Sequence, residues 1–67
     1  MNKVIILCIS KDIFVPIRYL GEKYLCLDIK YAKQFNIDDA IRIIRDLNLK
    51  NRGFYDFEFE SVEEGII

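Results

Sequence analysis

The chain contains no histidine and no threonine, and its only serines are Ser10 and Ser61. A serine or cysteine nucleophile is ordinarily activated by a neighbouring base, most often histidine, so that form of catalysis has no means here. Metal centres built from cysteine and histidine fail by count, since Cys8 and Cys26 are the only two such ligands. Gly21, Gly53 and Gly65 lie far apart, so there is no glycine-rich loop to cradle a phosphate. Both cysteines sit in apolar, strand-like runs, and two cysteines make no disulfide framework. They read as small buried hydrophobes in a reducing compartment. Long apolar runs are absent too. "VIILCI" (Val4 to Ile9) follows a single Lys3 and falls far short of the roughly 18 residues that a membrane span needs. The sequence therefore predicts a cytosolic protein without a membrane segment.

The chain does hold ample material for a core. Its 67 residues are 52% apolar, enough for one small globular domain over residues 1–67 and too many for disorder. Carboxylates are the one catalytic resource left. A domain of this size, however, has little room for a water-excluding pocket of about 300 Å³ or more. The expectation is a protein that is not an enzyme, with no cofactor and no metal. Phe, Tyr, Met, Ile, Asn and Lys far outnumber Gly, Ala, Arg and Pro, a bias toward A/T-rich codons that points to a low-GC bacterium or one of its phages.

Charge is unevenly placed. The net charge is −1, but residues 1–52 hold all ten Lys and Arg against six acids, whereas residues 53–67 hold five acids and no base.

Patterning predicts the order β-β-β-α-β. "KVIILCIS" is an apolar, β-branched strand ended by a turn at "SKD". "IFVPIRYL" and "KYLCLDI" read as a hairpin around Gly21-Glu22, a two-residue loop with glycine first, and Pro16 suits an edge position or bulge. Leu25, Leu27 and Ile29 are expected on the core face of the third strand. Lys30 to Phe35 predicts a short helical turn. Asn36 is a candidate N-cap, with Asp38 and Asp39 in the first turn. Ile37, Ala40, Ile41, Ile44 and Leu47 then form the buried helical stripe, which fades at Asn48 to Asn51 and ends by Gly53. "GFYDFEFES" is the last strand, expected beside the first, and "VEEGII" is a tail. The fold class is α+β: a small, mostly antiparallel sheet with one helix packed on one face.

Three constellations are candidates for binding. In the last strand, Tyr55, Phe57 and Phe59 face the core, while Phe54, Asp56, Glu58 and Glu60 face out. Carboxylates at i, i+2 and i+4 recur about every 6.6 Å and complement a basic partner. The second constellation is basic. It comprises Lys30, Lys33, Arg42, Arg45, Lys50 and Arg52, and pairs such as Asp38–Arg42 and Arg42–Asp46 would dilute its positive field. Arg18, Lys23, Arg42 or Arg45 could hold an anionic ligand at a subunit boundary. With a pI near 5.3, direct nucleic-acid binding is disfavoured. The third is an aromatic excess, with Phe54, Tyr24 and Phe14 expected on the uncovered sheet face beside the acids, as anchors in a polar surround.

The stretch "DIKYAKQFNIDDAIRIIRDL" resembles small uncharacterised proteins of phages and prophages of low-GC Gram-positive bacteria, on Asp28, Ala32, Lys33, Phe35, Ala40, Ile44 and Leu47. The resemblance covers about a third of the chain and brings no catalytic residue. It implies an accessory protein of a class that includes inhibitors of host enzymes and of defences such as CRISPR and restriction. The expected function is inhibition of a host protein that carries a basic, nucleic-acid-binding surface, through Phe54, Asp56, Glu58 and Glu60. Alternatives are an oligomeric sponge for a nucleotide messenger, using Arg18, Lys23, Arg42 or Arg45, and a nucleic-acid-binding regulator. A homo-oligomer is compatible with all of these.

Overall fold

A computed structural model describes residues 3–62. The elements are β1 (Lys3–Ser10), β2 (Arg18–Leu20), β3 (Leu25–Cys26), a 3₁₀ turn (Ile29–Tyr31), β4 (Phe35–Asn36), α1 (Ile37–Lys50) and β5 (Tyr55–Ser61). The small α+β architecture, a mostly antiparallel sheet with one helix packed on it, is the one the sequence predicts. A two-residue strand, β4, is added.

β1 is the centre of the sheet. β5 pairs along one edge from Val4 to Ser10, beside β1 as expected. The opposite edge is shared by β2, at Leu7 and Cys8, and β4, at Lys3 and Val4, and β3 completes the sheet on β2. The continuous apolar run that marks β1 in the sequence is what a strand buried on both faces requires. Val4, Ile6 and Cys8 are buried in the cluster that also holds Ala40 of α1, and Ile5 is buried on the opposite side of the strand.

α1 packs through Ala40, fully buried, with Ile37, Ile43, Ile44 and Leu47 around it. The expected stripe is corrected at one position: Ile41 is exposed and Ile43 packs in its stead. Helical geometry explains the exchange, because Ile43 lies about 60° around the axis from Ala40 and Ile41 about 100°. The ion pairs differ as well. Arg42 pairs with Asp39 and Lys50 with Asp46, not Asp38 with Arg42 or Arg42 with Asp46. Asn36 occupies the N-cap position without a side-chain capping bond. Its Oδ1 instead accepts from Lys3 Nζ at 3.0 Å. Asn51 closes the helix by donating its N–H to the Leu47 carbonyl, and Gly53, at φ 90°, turns the chain into β5.

The two middle strands are much shorter than their apolar runs suggest. After β1, Ser10 Oγ accepts from the Asp12 N–H and Asp12 Oδ1 from the Phe14 N–H, so side chains divert the backbone into a loop that carries Pro16. The hairpin closes at Leu20 and Leu25 around four residues, not two. Gly21 has no positive φ, so the type II′ expectation fails. Glycine is needed there for close approach, since a Cβ would lie 2.7 Å from Cys26 Sγ and 2.9 Å from the Tyr24 carbonyl oxygen. The third strand ends early because Asp28 accepts from the Lys30 N–H and starts the 3₁₀ turn. Leu25, Leu27 and Ile29 are consequently exposed, and Phe35 from β4 supplies core contact in their place. The expected helical turn over Lys30 to Phe35 is replaced by this 3₁₀ turn and β4. Of the tail, Val62 donates its N–H to the Lys3 carbonyl, and residues 63–67 lie outside the described residues.

Candidate functional site: the open face of the sheet and its acidic border

Register decides which side chains share a face. Opposite residues of an antiparallel pair point to the same side. Val4, Ile6, Cys8 and Ser10 oppose Ser61, Phe59, Phe57 and Tyr55, and this is the face that α1 covers. Ile5, Leu7 and Ile9 oppose Glu60, Glu58 and Asp56 on the other face. The acidic row therefore borders an apolar strip supplied by β1. Tyr19 of β2 lies opposite Leu7 and widens that strip on its far side, with Cys26 opposite Tyr19. Phe54 precedes the row, its carbonyl accepting from the Lys11 N–H, and its side chain is 72% exposed.

Electrostatically the row is graded. Asp56 is matched by Lys11, whose Nζ lies 3.0 Å from its Oδ2, with both side chains more than half exposed. Such a pair contributes little to stability. Among the described residues, Glu58 and Glu60 are in no ion pair, so the negative charge is concentrated at the C-terminal half of β5.

The aromatic expectation needs correction. Phe14 lies in the loop after β1 and Tyr24 in the hairpin loop, both highly exposed, and neither is on a strand of the open face. Tyr19, half-buried opposite Leu7, takes that place. Its signal was available in the alternation of Arg18, Tyr19 and Leu20, but only the β1–β2 register shows which way it points.

The basic candidates are dispersed within the chain. Arg42 lines an open groove of about 500 Å³ with Lys33, Phe35 and Asp39. Arg45 lines a different one of about 480 Å³ with Lys11, Asn48 and Arg52. Arg18 lies opposite Cys8 on β2, and Lys23 sits in the hairpin loop. Burial pushes the Cys8 thiol above its ordinary pKa, and the nearby Arg18 partly draws it back. Both cysteines are free, and the Cys26 thiol donates to the Tyr24 and Tyr31 carbonyls, tying the 3₁₀ turn to the hairpin. Among the described residues no buried polar or charged side chain occurs, and no three potential metal ligands gather.

No family model, curated protein or solved structure matches the chain. Among the described residues, no helix is long and apolar enough to cross a membrane.

Proposed function

We propose that the chain is a non-enzymatic interaction protein that inhibits a host protein by occupying its basic, nucleic-acid-binding surface. The observation that carries this reading is the pairing of Glu58 and Glu60, without ion-pair partners among the described residues, with the half-buried apolar side chains Leu7, Ile9 and Tyr19 on the face of the sheet away from α1, where Ile5 is already buried. An apolar centre bordered by fixed charge suits a protein partner, because the strip supplies buried area while the acids select cationic surfaces. Phe54 at the row's end is an exposed aromatic anchor. Nucleic acid would be repelled by the same acids.

The resemblance to phage and prophage accessory proteins supports a setting in the host cytoplasm, with a defence nuclease or its nucleic-acid groove as the kind of target. The test is competition. The protein is immobilised, exposed to a lysate of a low-GC Gram-positive bacterium, and challenged with duplex DNA. Retained proteins should be released by DNA and should not be retained by the Glu58→Lys, Glu60→Lys double variant. Retention indifferent to both would overturn the reading.

A further inference from the structure

The ladder between β1 and β5 alternates, and two bonds fix its phase. The Val62 N–H donates to the Lys3 carbonyl, and the Lys11 N–H donates to the Phe54 carbonyl. Even-numbered residues of β5 therefore turn their backbone groups toward β1, and odd-numbered residues turn theirs outward. At the start of the strand those outward groups are satisfied. Tyr55 donates its N–H to the Asn51 carbonyl at 3.2 Å. The Asn48 side chain acts on Phe57 as a partner strand would, accepting its N–H at 2.8 Å and donating to its carbonyl at 3.2 Å. Beyond Phe57 this cover ends. Among the described residues, nothing bonds the outward N–H and C=O groups of Phe59 and Ser61, and β5 has no strand on that side.

This open stretch carries a different chemistry on each face. Glu58 and Glu60 flank it on the open face of the sheet, and Phe59, 44% exposed, stands on the other. A strand added here would place its side chains about 5 Å from these residues. Charge complementarity then selects the occupant. A second copy pairing antiparallel about Glu60 would set Glu60 against Glu60, and that repulsion disfavours self-association through this edge.

Resting on the protein-binding reading above, we infer that the edge of β5 at Phe59–Ser61 takes an extended segment of a protein partner as a sixth strand. That segment carries lysine or arginine at alternate positions, toward Glu58 and Glu60, and apolar side chains between them, toward Phe59. Recognition combines backbone bonds, which supply attachment, with a basic/apolar alternation, which supplies selectivity.

The probe is an end-capped eight-residue peptide alternating lysine and valine, titrated into the full chain and followed by backbone amide NMR. Saturable shifts centred on Phe59 to Ser61 are expected, with a glutamate–valine peptide producing none. Ser61→Pro removes an outward N–H without touching the β1 ladder, and should weaken binding at least tenfold. A lysine–valine peptide N-methylated at alternate residues should fail against the unaltered protein, which tests the edge without relying on the folding of any variant. Binding that survives both Ser61→Pro and N-methylation would overturn strand addition, as would shifts centred on Leu7 and Tyr19. That last pattern would leave the open-face reading standing. Loss with Ser61→Pro but no change with Glu58→Gln, Glu60→Gln would sustain strand addition while removing the acids from both proposals. Dimers that Ser61→Pro dissociates would overturn the choice of occupant.

Discussion

The two faces of the sheet are built from the same pair of strands, yet α1 packs on only one of them. Toward α1, β1 presents Val4, Ile6 and Cys8 beside Phe57, and all four are buried. Away from α1 it presents Ile5, also buried, and the half-buried Leu7 and Ile9 beside Glu60, Glu58 and Asp56. β1 is nearly as apolar on the second face as on the first, whereas β5 changes character completely. A strand meant only to solubilise the sheet needs polar residues on the whole outer face. Here the centre stays apolar and only the border is charged, the contrast on which the proposed protein-binding role rests.

That contrast can be broken most forcefully at Ile6. Ile6→Ala should cost about 2–5 kcal/mol, against a total stability on the order of 3–10 kcal/mol for a chain this long. The variant should be barely folded by urea titration. Leu7→Ala, one residue along and on the open face, should cost only about 1 kcal/mol. Equal costs would mean that the open face is covered in solution.

The edge of β5 offers a middle-sized test of the difference between its two halves. Asn48→Ala leaves the Phe57 N–H and C=O without their partner and should cost about 1–3 kcal/mol. It should also raise amide exchange at Phe57 toward that of Phe59. An unchanged Phe57 exchange rate would show that Asn48 is not what protects this half.

The smallest effect lies in the closed face. Burial holds the Cys8 thiol protonated above its ordinary value of 9.0, while the unfolded thiol ionises near that value. The unfolded chain then releases a proton that the folded chain keeps, so Cys8 contributes stability below this pH and loses it as pH rises further. Denaturation midpoints should fall less steeply above pH 9.0 in Cys8→Ala than in the unaltered protein. Identical slopes would show that the thiol is not shielded.

Much of this was legible in the residues. The central strand, the helix bounded by Asn36 and Gly53, and the alternation of Tyr55, Phe57 and Phe59 with the acids all follow from periodicity and termination signals that act within a few residues. The middle of the chain was not legible. Leu25, Leu27 and Ile29 alternate as a core strand should, but Asp28 competes locally for the Lys30 N–H and ends the strand. Nor could the ion pairs of Arg42 be chosen, because Asp38, Asp39 and Asp46 are all within one helical turn of it. Of the candidate site, the acidic row was visible and its apolar neighbours were not.

By itself, then, the sequence determined that β5 has an acidic side and an aromatic side, because strand alternation is a property of the backbone alone. Only tertiary structure decided what lies beside each. Pairing β5 with β1 in this register set the acids against Ile5, Leu7 and Ile9, and a shift of one residue would have turned them toward the helix. The same docking brought Asn48 to Phe57 and left the outward backbone groups of Phe59 and Ser61 without a partner among the described residues. Contacts of that kind join residues distant in the chain, and no local pattern encodes them.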